Sequence, residues 1–241
     1  MNEEELDILA FGAHPDDVEL AAGGTLIKHV SLGKKVGIVD LTLGEMGTRG
    51  SIDERIRESQ ESQKIMGISV RENLDLGDCF FKNEKKELIK VIEQLRRFRP
   101  KIVICNAVSD RHPDHGRGAE LVSRACFLSG LIKIETSWNN SNQKSYRPEA
   151  LYHYIQDRWI DPDIIVNISD YFDQKIEAIK AYKSQFYDPD SIEPDTPIST
   201  ANFLESIKAR ALSLGRYIHA DYGEGFTAER FIGTEDLTSL I

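Results

Sequence analysis

Five residues in two short clusters carry the densest chemistry in the sequence: His14, Asp16 and Asp17 within His14-Pro15-Asp16-Asp17, and His112 and His115 within His112-Pro113-Asp114-His115. Imidazole and carboxylate are the donor set of a mononuclear catalytic zinc site, which takes three protein ligands and leaves a position for water. Such a metal lowers the pKa of water from 15.7 to roughly 7 and polarises a carbonyl under attack. The five groups suffice for three ligands, one general base and one acid or electrostatic helper. Adjacent Asp16 and Asp17 cannot readily point the same way at the mouth of a helix, so a division of labour between them is expected. His112 and His115 share a face if a helix begins at Pro113. Each cluster alone has a plainer explanation: the two aspartates cap a helix, and the second cluster is a polar turn. Occurring together, with three of the six histidines of the chain, they point instead to metal-dependent hydrolysis. His29, His153 and His219 fall in helical or strand patterns and read as surface or structural residues.

The elements around the clusters decide whether they can meet. Leu6 to Ala13 and Val36 to Leu41 read as buried strands, Val18 to Leu32 as a helix stopped by Gly33, and Ile52 to Met66 as a charged amphipathic helix ending at Gly67. A short strand is expected near Asn73 to Leu76, a helix over Glu84 to Phe98 ahead of Pro100, and a strand over Lys101 to Asn106. Beyond these, Asn139 to Gln143 reads as a polar loop, Ala150 to Tyr154 and Ile164 to Ile168 as strands, Tyr171 to Ser184 and Asn202 to Ile218 as helices, and Tyr187 to Pro197 as a Pro/Asp loop. The alternation predicts an α/β fold, Rossmann-like, with a mostly parallel sheet and helices on both faces. Ligands of such sheets bind outside the carboxyl ends of the strands. Both clusters fall there, His14 directly after the first strand and His112 shortly after Asn106. No repeat or clean linker interrupts residues 1–241, which are expected to form a single domain.

A formal charge of -10 argues against nucleic acid as a partner, since a binder needs a basic footprint to replace phosphate counterions. No run approaches the roughly 18 apolar residues of a membrane span. The acidic start, Met1-Asn2-Glu3-Glu4-Glu5, differs from a secretory signal, and Cys79, Cys105 and Cys126 are few and widely spaced. A cytoplasmic location with reduced thiols is expected. A dinucleotide-binding module would need G-x-G-x-x-G after the first strand, where this chain has Gly12-Ala13-His14-Pro15-Asp16-Asp17, whose carboxylates would repel a pyrophosphate.

Ala13-His14-Pro15-Asp16-Asp17 followed by His112-Pro113-Asp114-His115 resembles the PIG-L/LmbE family of zinc deacetylases. The similarity continues through Leu6 to Gly12, Asp110-Arg111, Tyr182-Lys183-Ser184-Gln185-Phe186 and Tyr222-Gly223-Glu224-Gly225-Phe226, and so covers nearly the whole chain. In that combination the chain is similar to the bacillithiol-biosynthesis branch, which deacetylates N-acetylglucosaminyl malate. The resemblance implies that His14, Asp17 and His115 hold zinc, that Asp16 is the general base, and that His112 assists the charged tetrahedral intermediate. It implies that Arg55 and Arg111 belong to the substrate pocket, that the substrate is a small anionic amino sugar, and that the protein is a homo-oligomer. Two histidines and a carboxylate also suit iron(II). Some family members offer a tyrosine hydroxyl to the oxyanion; the approximate match here is Phe203, which has none, so that either Tyr187 substitutes or His112 and the metal suffice. Glu45 and Arg49 are either substrate contacts or parts of a surface turn. Two alternatives remain: an amidohydrolase of another N-acyl sugar or small amide, and a non-catalytic metal- or sugar-binding protein.

Overall fold

The computed structural model describes residues 5–239. In chain order the elements are β1 (Ile8–Gly12), α1 (Asp17–Ser31), β2 (Val36–Asp40), α2 (Ile52–Met66), β3 (Val70–Asn73), α3 (Lys85–Phe98), β4 (Ile102–Cys105) and α4 (Pro113–Ser129). They continue as β5 (Ser137–Trp138), β6 (Ser141–Asn142), β7 (Ala150–Tyr154), β8 (Ile164–Asn167), α5 (Phe172–Lys180), α6 (Phe203–Tyr217) and β9 (Gly223–Ala228). Seven strands form one sheet in the order β3-β2-β1-β4-β7-β9-β8. The first five run parallel, and β9 pairs antiparallel with both β7 and β8. The predicted α/β class and mostly parallel sheet are what the structure has.

The period of two in β1 divides the core. Leu9 and Phe11 face α3 and α4, packing with Leu88, Val91, Leu95, Leu121 and Val122. Ile8 and Ala10 face α1, packing with Val18, Ala22, Leu26 and Ile38. Helices therefore cover both faces, and each fully buried Leu, Ile or Phe contributes about 1.5–3 kcal/mol. Gly12 ends β1 without a side chain for a steric reason: a Cβ there would lie 3.0 Å from the His14 carbonyl oxygen and 3.3 Å from the Asp17 Cβ. The chain order reverses at β1, which has β2 on one side and β4 on the other. This switch point opens the crevice at the carboxyl ends of β1 and β4.

α2 follows its sequence signals closely. Ser51 and Glu54 form a reciprocal capping box, and Gly67 closes the helix at φ 70°. The third strand departs from expectation: it is Val70–Asn73, not Asn73 to Leu76. Arg71 and Glu72 hid it, because charged residues do not read as a strand. Yet the Arg71 side chain is buried, with its guanidinium bidentate on Asp40 at 2.8 and 2.9 Å and its Nη1 2.6 Å from Glu19. The polar stretch Asn139 to Gln143 contains the turn of the β5–β6 hairpin, with Asn139 and Asn140 both at positive φ as a type I′ turn requires. β9 was not legible as a strand. Its Gly223 has no side chain because a Cβ would lie 2.7 Å from Ile165 Cγ2 on the neighbouring strand.

β9 also anchors α1. Glu224 accepts from the Gly24 and Thr25 amides at 3.0 and 2.7 Å and from Lys175 Nζ at 2.6 Å, all buried. Removing one member of a buried pair strands the other charge out of water. Glu224→Gln is expected to cost about 3–5 kcal/mol, read as a lowered urea midpoint, and Lys175→Met in the same chain should restore part of it.

Candidate metal centre and active site

Pro15 and the turn into α1 set the first cluster. Asp16 has φ 121°, an unusual conformation for a residue with a Cβ, and its carbonyl accepts the Leu20 amide at 3.0 Å. The strain directs the two adjacent carboxylates apart. Asp17 turns inward: Oδ2 takes the His14 amide at 2.9 Å and Asn106 Nδ2 at 3.0 Å, and Oδ1 takes Gln156 Nε2 at 2.6 Å. Asp16 turns toward Arg55, whose Nη2 is 3.1 Å from Oδ2 and also donates to the Pro15 carbonyl.

The second cluster begins α4. His112 is its N-cap, with Nδ1 accepting the Asp114 amide at 3.2 Å, and Pro113 is the first helical residue. This placement brings the rings of His14, His112 and His115 together, with centroids 4.6 to 5.7 Å apart. One ring nitrogen from each lies within 4.8 Å of the others. His14 Nδ1 is 3.5 Å from Asp17 Oδ2, and His115 Nε2 is 3.2 Å from Asp17 Oδ1. The other nitrogens are taken by carboxylates: His14 Nε2 by Asp78 at 2.9 Å and His115 Nδ1 by Asp110 at 2.6 Å. Such outer carboxylates fix ring orientation and tautomer in metal sites.

The electrostatics ask for a cation. Asp17, Asp78, Asp110 and Asp114 surround the two imidazoles. Burial disfavours the charged form of His115, but Asp17 and Asp110 outweigh it and raise its pKa to about 9. Burial likewise opposes the His14 cation, and Asp114, Asp17 and Asp78 reverse the balance, raising its pKa well above 6.5. A divalent ion would replace these protons, so the donors around His14 and His115 suit a metal; the nitrogens of His14, His112 and His115, and separately His14 with Asp78 and Asp114, lie close enough together to hold one. Asp16 is different: burial raises it to about 7 against the pull of Arg55. His112 goes the other way, with burial and the neighbouring His14 and His115 charges lowering its pKa.

His14, Asp16, Asp17, Asp78, His112 and His115 line a cavity of about 300 Å³ together with Arg111, Gln156, Gln185 and the Asp195–Ile198 segment. Arg111 lies on its wall, half exposed, with Nε 2.7 Å from Asp157. Arg55 lines it too, but is 5% exposed and turned onto Asp16 and Pro15. Glu45 sits behind it, accepting the Asp78 amide at 2.7 Å, and Arg49 reaches Ser191 at 2.6 Å. Phe203 is stacked on Phe186 at 5.8 Å and Tyr187 is exposed; neither lines the cavity. Asp78, Asn106 and Gln156 were not singled out from sequence. A signal existed, since each follows a strand of the parallel sheet at its carboxyl end.

With this geometry the comparisons have a clear meaning. Residues 9–126 match the PIG-L family, described as GlcNAc-PI de-N-acetylase. A diacetylchitobiose deacetylase from Thermococcus kodakarensis is 30% identical over 192 residues, covering 74% of this chain and 70% of that protein. The chain belongs to the PIG-L family. It is an N-deacetylase of acetylated, sugar-like substrates. A crystal structure of the conserved protein TT1542 from Thermus thermophilus shares the PIG-L fold seen here, with a TM-score of 0.83 at 34% identity, 95% of this chain and 98% of that one being covered. A probable N-acetyl-alpha-D-glucosaminyl L-malate deacetylase 2 from Bacillus cereus is 28% identical over 194 residues, covering 75% of this chain and 84% of that protein. Among the described residues, no helix is long and apolar enough to cross a membrane.

One divalent metal ion per chain is the expected content. Protons compete for the same nitrogens, so apparent metal affinity should rise with pH until His115 deprotonates near 9, and uptake at neutral pH should release protons. Calorimetry in buffers of different ionisation heat measures both. His14→Ala/His115→Ala should abolish stoichiometric metal by elemental analysis; retention would remove these ligands from the assignment.

Proposed function

We propose that this PIG-L chain hydrolyses the acetamide of N-acetylglucosaminyl malate, releasing acetate and the free amine, with His14, Asp17 and His115 holding zinc and Asp16 acting as base. The observation that carries the reading is the separation of the two adjacent carboxylates, Asp17 between two histidines and Asp16 on Arg55. When bound, the metal would acidify a water and polarise the acetyl carbonyl. Asp16 accepts the proton of the attacking water, and a pKa near neutrality suits a base that must also return it. Arg55 fixes the direction of that carboxylate and keeps it from binding its proton more tightly. His112, with Nδ1 occupied by the Asp114 amide, has Nε2 left as the hydrogen-bond donor to an oxyanion formed at the cavity base. The leaving nitrogen takes the proton returned by Asp16.

The malate portion is supported by the Bacillus cereus relative and by Arg111 at the cavity wall. Among the described residues, the Arg111 side chain uses only its Nε in a hydrogen bond, on Asp157. The remaining guanidinium N–H groups suit a carboxylate. A small anionic amino sugar is the corresponding substrate class.

Two measurements test the reading. Asp16→Asn should retain zinc and lose about 10²–10⁴ in kcat, whereas Asp17→Asn should lose zinc affinity. Both variants retaining metal, with only Asp17→Asn inactive, would reverse the roles. Arg111→Ala should lower kcat/KM for N-acetylglucosaminyl malate about tenfold, the low end for a charge-assisted bond because the side chain is half exposed. It should change turnover of plain N-acetylglucosamine far less. Equal losses on both sugars would place Arg111 outside malate recognition.

A further inference from the structure

His153 is buried on β7, away from the cavity, and both of its ring nitrogens are engaged. Nδ1 is 2.8 Å from the Asn106 carbonyl oxygen and 3.3 Å from Cys105 Sγ, and Nε2 is 3.0 Å from Glu229 Oε1. Three neighbouring strands supply this chain of contacts: Asn106 follows β4, His153 lies on β7 and Glu229 follows β9. One end is at the surface, where the Glu229 side chain is 44% exposed. The other end is the proposed metal site, since the Asn106 side-chain amide donates to Asp17 Oδ2 at 3.0 Å.

These partners fix the ring. A carbonyl oxygen only accepts, so Nδ1 carries a hydrogen and donates to Asn106. Nε2 then meets a carboxyl oxygen, and one proton lies between them, because a bare ring lone pair and a carboxylate repel. Turning the ring over would set carbon against both oxygens. The bond to Asn106 falls where the sheet stops holding the chain: Cys105 and His153 are the last pair between β4 and β7, and Asn106 lies one residue beyond. A side chain takes over there from the ladder. Cys105 adds no rival chemistry, since burial pushes its thiol well above the usual range and leaves it protonated and inert. We propose that His153, held by Glu229, is a positioning residue that fixes Asn106 and, through its side-chain amide, the Asp17 carboxylate. This rests on Asp17 being a metal ligand, and deepens that reading by naming what holds the ligand. Outer partners of metal ligands change metal affinity by about 10- to 100-fold.

The test measures cobalt(II) affinity against a competing chelator, together with the visible spectrum of the cobalt(II) protein. His153→Phe should weaken cobalt(II) about tenfold and shift the spectrum, and Asn106→Ala should weaken it about 10- to 100-fold. Because His153 acts through the Asn106 side chain, adding His153→Phe to Asn106→Ala should cost little more. A fully additive loss, or no loss in His153→Phe, overturns the proposal. Tyr146→Phe is the control for general loosening, since it removes a hydrogen bond to the Pro100 carbonyl at the opposite end of β4. It should lower the urea midpoint and leave cobalt(II) affinity unchanged; a loss matching that of His153→Phe would overturn the proposal. If His153→Phe does not fold, the exposed Glu229 decides. Glu229→Ala should then weaken cobalt(II), and Glu229→Gln, which still hydrogen-bonds Nε2, should restore it; equal affinities in both variants and wild type overturn the proposal. Asp17→Asn with unchanged cobalt(II) affinity would overturn the ligand reading instead. The Asn106 side-chain amide signal in NMR spectra of the metal-free protein then tests the positioning by itself: displacement in His153→Phe or Glu229→Ala supports it, and an unmoved signal refutes it.

Discussion

Asp17 is buried between His14 and His115 with hydrogen bonds on both carboxylate oxygens, so a full negative charge is held out of water beside two imidazoles. Much of the architecture answers that constraint. Asn106 comes from the end of β4, Gln156 from the end of β7, and Asp78 and Asp110 from loops after β3 and β4. Each supplies a donor to Asp17 or an acceptor to a histidine. A carboxylate in this position is tolerable because the fold itself supplies hydrogen bonds to both of its oxygens, which is what preorganisation means in energetic terms.

A second polar layer lies directly beneath. Glu19, two residues after Asp17, receives Arg71 at 2.6 Å, Ser62 at 2.8 Å and the Tyr182 hydroxyl at 2.8 Å, and Arg71 is also bidentate on Asp40. The remainder of the Tyr182-to-Phe186 stretch has similar work. Ser184 bonds Glu58 on α2, and Gln185 donates to the Arg49 carbonyl at 2.7 Å. A buried ionic network is weak evidence for net stability. Its effect here is positional: β2, β3, α1 and α2 are locked in one register under the cluster.

The sequence was most legible where one residue type has one job. The helix stop at Gly67 and the continuous apolar run of β1 depend on local stereochemistry, and both could be read without the structure. The His and Asp clusters were legible for a related reason, since few other roles place those types after two parallel strands. What could not be read depends on partners distant in sequence. β3 carries Arg71 because Asp40 and Glu19 await it, and a pattern of hydrophobicity has no place for a buried arginine. Gln156 looks like any loop glutamine until the fold brings it 2.6 Å from Asp17. Phe203 stood out from sequence only as a missing hydroxyl; its packing against Phe186 gives it a place in the hydrophobic cluster around Leu20 instead.

The anchoring of α1 by Glu224 has a consequence for how the site is assembled in time. The helix carrying Asp17 and Glu19 gains its Gly24 and Thr25 partners from β9, close to the last described residues. Gln156 too arrives after both histidine clusters in sequence. During synthesis the whole ligand set therefore leaves the ribosome well before the residues that clamp it. A nascent chain stopped after α4 would own every proposed zinc donor and still lack Gln156 and Glu224, which complete the hold on Asp17 and on its helix.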